Sequence, residues 1–323
     1  MQQAPRKASA AEVPVLDMSQ WLAGGSPDQL VKELYSACIG TGFFYIKGHG
    51  MPTPVIDNAF AAAQRYFALP EAERLKDKID EKFRRGYMPY GVNQHPGYAP
   101  DMKHSFDFGT DLPLTDPDVA AGLPLHGPNK WPADKPWLRE AAQAYFEHTS
   151  TIGHQLLKIF ALALEQDEHF FLQWTQKPMM QSRLFHYPAQ DLAGEISHGV
   201  APHTDYGMIT ILAQDPIGGL ELLLKTGEWI AAPYIEDTLV VNLGDLFKVW
   251  TNDKFVSNQH RVFNRTGKER YSIPTFFNLD YRTPVACLPH CVSADCPAKY
   301  EPILAGDYLV SRFRDVQKFK VGS

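Results

Sequence analysis

The sequence lacks the features that would place it with membrane or nucleic-acid-binding proteins. Its apolar runs all fall short of the roughly 20 residues that span a bilayer, and its formal net charge is -6, with no run rich in Lys or Arg that could follow a phosphate backbone. Residues 1–12 lack the apolar stretch of a secretory signal. We therefore predict a cytoplasmic protein without a membrane or nucleic-acid partner.

Cysteine is also scarce, with four residues in a chain of 323. Cys38 stands alone, whereas Cys287, Cys291 and Cys296 lie close together near the end, with His290 among them. A zinc site is the alternative for this cluster, but its spacings lack the paired ligands of a zinc knuckle. We predict reduced thiols in ordinary loops, as is usual inside cells.

The first half of the chain alternates short apolar segments with helical patterns. Residues 13–17 and 43–46 predict strands, and residues 28–39 and 54–67 predict helices. Residues 80–137 are rich in Pro and Gly and carry little regular pattern, and long loops of this kind are usually functional. We expect this middle segment to cover a pocket, followed by a long helix over residues 137–164.

Strand patterns dominate from residue 183 onward, and residues 307–316 predict a closing helix. Short strands joined by turns indicate a sandwich or barrel, whose mouth is a common place for a cofactor. The fold prediction is therefore mainly β with flanking helices. The predicted strands cover residues 183–187, 208–212, 220–224, 229–232, 238–241, 256–263 and 271–277.

One short motif in this β-rich half offers metal ligands. Side chains alternate faces along an extended segment, so His203 and Asp205 point to the same side. His260, which comes 55 positions after Asp205, can complete a set of two histidines and one carboxylate. That set covers one face of a metal and suits non-haem Fe(II) that activates O2.

A second pair lies ten positions after His260. Arg270 and Ser272 also share a face of an extended segment, and a guanidinium beside a hydroxyl is a good receptor for a carboxylate. The same half of the chain therefore offers a metal site and a carboxylate site.

These residues resemble the Fe(II)/2-oxoglutarate-dependent dioxygenases of the isopenicillin N synthase-like family. The resemblance implies a double-stranded β-helix (jelly roll) core over residues 181–290, an N-terminal α/β cap region over 1–136, a supporting helix segment over 137–180 and a C-terminal helix over 291–323. Further blocks in the family's order are residues 13–17, 42–46, 48–50, 184–188, 218–222 and 240–245.

The resemblance also implies an activity. His203, Asp205 and His260 would bind Fe(II), and Arg270 with Ser272 would bind the distal carboxylate of the cosubstrate 2-oxoglutarate. Tyr187 matches a position whose hydroxyl contacts the cosubstrate's metal-side carboxylate, although Phe185 stands where many plant members carry Asn. With O2, such an enzyme hydroxylates or otherwise oxidises an unactivated C–H of a small organic metabolite, often in secondary metabolism, giving succinate and CO2.

Two other functions are compatible with the same motifs. An oxidase like isopenicillin N synthase would use the Arg-x-Ser pair for its own substrate and need no 2-oxoglutarate, and a non-catalytic member would only bind a small molecule. Halogenation is disfavoured because Asp205 fills the place that halogenases leave open. We predict substrate contacts at Phe108 and Phe277. His186 and His198 are candidates for supporting the metal site.

Overall fold

The protein, described here from a computed structural model over residues 5–95, 97–193 and 196–316, contains eight α-helices within those ranges. They are α1 (Ser19–Leu22), α2 (Asp28–Gly40), α3 (Thr53–Phe67), α4 (Glu71–Lys76), α5 (Pro117–Ala120), α6 (Pro136–Ala163), α7 (Asp245–Trp250) and α8 (Ala305–Val316).

The same ranges contain fourteen β-strands. They are β1 (Val15–Asp17), β2 (Phe43–Lys47), β3 (Gly86–Met88), β4 (His104–Gly109), β5 (Gln181–Tyr187), β6 (Val200–His203), β7 (Ile209–Gln214), β8 (Leu220–Leu223), β9 (Trp229–Ala232), β10 (Leu239–Leu243), β11 (His260–Val262), β12 (Arg270–Phe277), β13 (Pro284–Val285) and β14 (Ile303–Leu304).

Two sheets form the centre of the fold, and they correspond to the predicted jelly roll. The larger sheet has the strand order β1-β2-β10-β7-β12-β5-β4-β3, and the smaller has the order β6-β11-β8-β9. Every pair is antiparallel except β1 with β2. The sheets are not closed into a barrel, so the space between them can open towards one end.

Alternation along the strands gives the larger sheet two different faces. On β2, Phe43 and Tyr45 pack with Leu222 and Ile230 of the smaller sheet in one buried cluster. Phe44, on the opposite face, belongs to a second and larger cluster that also holds residues of α2, α3 and α6. We call the first side of the larger sheet the inner face and the second side the helix face.

The long helix α6 packs closely on the helix face. A Cβ atom at Gly153 would lie 2.1 Å from the ring of Phe277, so only glycine lets the helix approach β12 at this point. The hydroxyl of Tyr145 donates to the carbonyl of Ile273, 2.8 Å away. The helix therefore fixes β12, the strand that begins with Arg270.

The N-terminal region shares the larger sheet with the rest of the chain. β2 pairs with β10, and β4 pairs with β5, so residues before 136 extend the same β structure. The division of the chain into the four predicted regions stays a prediction. Most predicted elements recur within a few residues, whereas four short helices and four short strands were not predicted: α1, α4, α5, α7, β3, β6, β13 and β14.

No α-helix within the described ranges is both long and apolar enough to cross a bilayer.

Candidate active site

Three side chains converge where β6 meets β11. His203 ends β6, Asp205 follows in the turn, and His260 begins β11 directly opposite His203 in the antiparallel register. The Nε2 atoms of the two histidines each lie 3.7 Å from Oδ1 of Asp205. Within the described ranges, these three residues are the only group of His, Cys, Asp or Glu placed to hold one metal ion.

Hydrogen bonds orient each member of this group. Nδ1–H of His203 can donate to the carbonyl of Ala201 at 2.8 Å, and Nδ1–H of His260 to the carbonyl of Asn258 at 3.2 Å. With the proton on Nδ1, each Nε2 presents its lone pair to the centre of the group, as a metal ligand requires.

The carboxylate of Asp205 is oriented by two buried donors. Its Oδ2 accepts hydrogen bonds from Nδ2 of Asn242 at 2.6 Å and from Oγ1 of Thr210 at 2.5 Å. Oδ1, the atom nearest to both histidines, is thereby turned towards the centre of the group. The motif itself was read from the sequence, but these two supporting residues were not.

The surroundings favour a neutral imidazole at His203. Burial, with His260 and His95 nearby, lowers the pKa of His203 well below its ordinary value. Two imidazole nitrogens and one carboxylate oxygen are a donor set that suits a divalent first-row metal such as Fe(II). The residues present therefore fit the metal that the sequence resemblance implies.

The cysteines near the end of the chain do not form a second metal site among the described residues. Their thiols are free, and two of them contact one amide side chain instead: Cys287 Sγ lies 3.5 Å from Oδ1 of Asn252, and Nδ2 of Asn252 lies 3.4 Å from Cys296 Sγ. The prediction of ordinary, reduced thiols in this cluster stays a prediction.

Arg270 is completely buried on the inner face of β12. Its Nε donates to the carbonyl of Gly218, and its Nη1 donates to Oγ of Ser272 at 3.1 Å. Its Nη2 is buried without a hydrogen-bond partner. Burial raises the pKa of the nearby Asp215 despite the charge of Arg270, and its carboxylate accepts a hydrogen bond from the backbone N–H of Tyr271.

No described carboxylate forms an ion pair with Arg270. An unpaired buried charge is costly, by several kcal/mol in order of magnitude, so an isolated guanidinium here indicates a site for an external anion. A carboxylate that reached Nη2 and the Ser272 hydroxyl would supply the missing partner. The geometry thus fits the distal carboxylate of 2-oxoglutarate.

Tyr187 is the strand neighbour of Arg270, on β5. Its ring centroid lies 4.6 Å from the guanidinium carbon of Arg270, which is a cation–π contact. Phe185, two residues earlier, is the neighbour of Ser272 and lines the adjoining cavity. The predicted contact of the Tyr187 hydroxyl with the cosubstrate stays a prediction.

A cavity opens beside the metal-binding group and includes His203, Asp205 and Thr210 in its wall. The middle segment contributes Asn93 and His95 to this wall, and the predicted covering of the pocket by the Pro- and Gly-rich stretch stays a prediction. The ring centroid of His95 lies 5.0 Å from that of His203. Nothing in the sequence around His95 marked it, because its proximity depends on how a long loop folds back.

The two aromatic residues predicted to contact substrate lie on the helix face instead. Phe108 is buried against Trp131 and Phe146, and Phe277 is buried against Gly153 and His154. Neither belongs to the lining of the cavity. This is a correction: both side chains stabilise the contact between the larger sheet and its helices.

Strand alternation could have identified the correct neighbour of Phe277. Arg270 and Ser272 share the inner face, so Phe276 must share it too, whereas Phe277 points the other way. The structure places Phe276 in the cavity wall. On β5 the same rule brings Arg183 to the inner face together with Phe185, and Arg183 was not predicted.

The two other histidines considered as supports of the metal site lie away from it. His186 stacks on His104 and Tyr271 on the helix face, and His198 contacts Tyr98 and Phe263. Neither donates a hydrogen bond to the metal-binding group; the backbone carbonyls and the two donors to Asp205 fill that role.

Comparison with protein families shows two matches that follow one another along the chain. Residues 13–134 match the model described as the N-terminal region of non-haem dioxygenases in morphine synthesis. Residues 178–279 match the 2OG-Fe(II) oxygenase superfamily. The second match contains the metal-binding group and the Arg270 site.

Relatives also match along nearly the whole chain. The chain is 35% identical to the 2-oxoglutarate-Fe(II) type oxidoreductase hxnY of Emericella nidulans, covering 93% of this chain and 89% of the relative. It is 34% identical to kihadalactone A synthase LFS of Citrus sinensis, covering 95% of each. Among solved structures, a full-length Neurospora crassa protein in complex with alpha-KG and thymine matches with a TM-score of 0.84 at 27% identity, covering 97% of this chain and 99% of that protein.

Proposed function

The chain belongs to the 2-oxoglutarate- and Fe(II)-dependent oxygenases, and we propose that His203, Asp205 and His260 bind its iron while Arg270 and Ser272 bind the distal carboxylate of 2-oxoglutarate. The enzyme is a 2-oxoglutarate-dependent dioxygenase that acts on a small molecule, as its relatives are. The oxidase that needs no 2-oxoglutarate is not supported, because the named relatives use this cosubstrate.

One observation supports the assignment of the iron-binding and 2-oxoglutarate-binding residues. Two histidines and a carboxylate converge on one point, and a buried guanidinium with a free Nη2 lies on the inner face of the neighbouring sheet. Each half matches one part of the required chemistry, metal binding and carboxylate binding. Iron with 2-oxoglutarate and O2 supplies the oxidation of a substrate C–H, with succinate and CO2 as coproducts.

The protein's own residues prepare this chemistry. The hydrogen bonds to Asp205 and to the Nδ1 atoms hold the three ligands in place before the metal binds, which lowers the cost of ordering them. Arg270 orients the cosubstrate from its far end, and Tyr187 is proposed to contact the end nearer the metal. The middle segment, with Asn93 and His95, limits access of water to the cavity.

The proteins similar to this chain act on, or were solved with, different small molecules. The Neurospora crassa protein was solved with thymine and with 5-formyluracil, and a similar rice structure is that of a dioxygenase for auxin oxidation. The relatives also include clavatol oxidase claD of Penicillium crustosum. We propose a small organic metabolite for this chain, and a cytoplasmic location that agrees with its free thiols.

The activity is tested by following O2 uptake and succinate in the iron-loaded protein. Pools of small metabolites are added with and without 2-oxoglutarate. We expect uptake and succinate only with 2-oxoglutarate, and an increase with the pool that holds the substrate. O2 uptake of equal rate without 2-oxoglutarate would contradict the proposal and favour a synthase-like oxidase.

A further inference from the structure

Part of the cavity wall is strongly cationic. Arg84, Arg85 and Arg183 all line it, and we call these three the arginine wall. Lys103 also lines the cavity, but its Nζ lies 2.5 Å from Oδ2 of Asp101, which balances its charge. The arginine wall is separate from Arg270, which does not line this part of the cavity.

Arg85 is the most buried member of the arginine wall, with 3% of its surface exposed. Its Nη1 donates to the carbonyls of Phe83 and Arg84 at 3.0 and 3.3 Å, and its Nε is buried without a hydrogen-bond partner. No described carboxylate forms an ion pair with it. Burial lowers its pKa to about 10, the charges of Asp107 and Asp111 act in the opposite direction, and Arg183 adds a smaller lowering, so Arg85 remains a cation at neutral pH.

The backbone leaves room for this guanidinium. A Cβ atom at Gly109 would lie 2.8 Å from Nη2 of Arg85 and 2.2 Å from the carbonyl oxygen of Met180. A buried cation that is accommodated without an anionic partner is costly to the fold. Such a cation is expected where a ligand supplies the missing negative charge.

Arg183 lies beside Arg85 on the inner face of β5. Its Nε is 3.1 Å from Oδ2 of Asp107, its Nη2 donates to Oε1 of Gln181 at 3.1 Å, and its guanidinium carbon lies 5.2 Å from the ring centroid of Phe276. The contact with Asp107 is an ion pair, so Arg85 is the member of the arginine wall that carries the unpaired charge, while Arg183 is held against an aromatic ring. Its orientation is therefore fixed before any ligand arrives, which reduces the entropy lost on binding.

The rest of the cavity is mainly apolar. Leu125, Met179, Leu309 and Phe313 contribute to its walls, as does Phe276. A ligand that fills this space would therefore have an apolar body and place its charge at the arginine wall.

The strand order gives the distance between the arginine wall and the metal-binding group. Thr210, which donates to Asp205, is on β7, and Arg183 is on β5, with β12 between them. Two strand spacings separate the backbones of β7 and β5 by about 10 Å, and Arg183 lies two residues along β5 from the position level with Thr210. A molecule bound to both ends would have its reacting carbon several bonds away from its charged group.

We propose that the primary substrate carries a carboxylate, which binds to Arg85 and Arg183, and that its apolar body extends along the cavity towards His203 and Asp205. This inference deepens the proposed function, on which it rests, because it names the chemical class of the substrate for the same site. Charge-assisted hydrogen bonds from two guanidiniums would provide both affinity and orientation.

The test measures binding without turnover. Benzoate, phenylacetate, cinnamate and cyclohexanecarboxylate are compared with their primary amides by calorimetry on the iron-loaded enzyme under anaerobic conditions. Saturating 2-oxoglutarate is present throughout, so that the probes cannot occupy the Arg270 site. We expect at least one acid to bind with a Kd of about 1 mM or tighter, and its amide at least about tenfold more weakly.

Two variants then test which cations bind the carboxylate of the probe. Arg85→Gln and the gentler Arg183→Lys should each weaken the acid by about tenfold or more, because the first removes a cation and the second removes the planar fork. The amide should change by less than about twofold. Arg139→Gln is the matched control, since Arg139 is exposed on α6 and bonds only to Gln143.

Several results would overturn the proposal. Equal affinity for acid and amide in the wild-type enzyme would do so, and this comparison needs no variant to fold. Absence of binding by every acid at about 10 mM, tenfold above the expected Kd, would also count against it. The proposed function is judged separately by 2-oxoglutarate-dependent O2 uptake: an acid that binds through Arg85 in an enzyme without that uptake would refute the function and keep the anion site.

Discussion

Replacement of Arg270 by Gln tests the carboxylate site, because the structure predicts how much the Kd for 2-oxoglutarate should rise. The guanidinium is completely buried, and its only described partners are the Gly218 carbonyl, the Ser272 hydroxyl and the Tyr187 ring. A bound 2-oxoglutarate carboxylate would therefore be its main ionic partner. Truncating one partner of such a buried pair costs about 2 to 5 kcal/mol, which raises the Kd for 2-oxoglutarate by roughly 30-fold to several thousand-fold.

The effect can be measured as ligand-induced thermal stabilisation. At a concentration about 100 times its Kd, a ligand stabilises the native state by about 2.7 kcal/mol. At the same concentration the Arg270→Gln protein should gain less than about 1 kcal/mol. Ser272→Ala removes one neutral donor, which costs on the order of 1 kcal/mol, so it should retain about 1.8 kcal/mol.

These energies correspond to separable changes in Tm. For 323 residues, the usual unfolding entropy per residue gives about 1.5 °C for each kcal/mol. We therefore expect shifts of about 4 °C for the wild type, about 2.7 °C for Ser272→Ala and less than about 1.5 °C for Arg270→Gln. Differential scanning fluorimetry of the iron-loaded proteins under anaerobic conditions resolves this order.

The control and the refuting result follow from the same design. Arg139→Gln, on the exposed side of α6, should show the wild-type shift. A full shift of about 4 °C in Arg270→Gln would refute the reasoning, because the cosubstrate would then bind without the buried guanidinium. A Ser272→Ala shift smaller than that of Arg270→Gln would show that the hydroxyl, not the charge, dominates the site.

Two further predictions concern residues outside the direct ligand sites. Asn242→Leu removes one of the two donors to Oδ2 of Asp205 and should lower iron affinity by about 10- to 100-fold, measured by competition with a chelator; unchanged affinity would show that Thr210 alone orients the carboxylate. Burial lowers the pKa of His186 and His104 to about 4 each, so the folded protein favours their neutral forms. The stability that depends on these neutral forms is present above about pH 6.5, the pKa of an unperturbed histidine, and is lost as pH falls towards about 4. At about pH 5 each histidine should lower the free energy of unfolding by about 2 kcal/mol. Urea unfolding of iron-free His186→Phe should therefore show a smaller decrease in this free energy between about pH 7 and 5 than the wild type. An identical decrease in both proteins would argue against this assignment.

The metal-binding group was predictable because its geometry is mostly local. His203 and Asp205 are two residues apart, and alternation alone puts them on one side of an extended segment. His260 required a pairing between β6 and β11, which the resemblance implied and the spacing allowed. Arg270 and Ser272 were predictable for the same local reason.

The wall of the cavity was much less predictable. Arg85 and Arg183 both reach the cavity because β3 pairs with β4 and β4 pairs with β5, and such pairings between distant segments leave no periodic signal in the sequence. Phe277 was preferred to Phe276 because aromatic character alone does not distinguish a buried contact with a helix from a contact with substrate. Attention to alternation from Ser272 onward would have corrected that choice.

The central claim is that His203, Asp205 and His260 bind the iron of this oxygenase. The most direct measurement is the iron content of purified His260→Ala, with His198→Ala as the control, since His198 lies on a nearby loop against Tyr98 and Phe263. We predict that His260→Ala binds iron poorly and forms no succinate, whereas His198→Ala keeps about one iron per chain. Full iron occupancy and activity in His260→Ala would contradict the assignment.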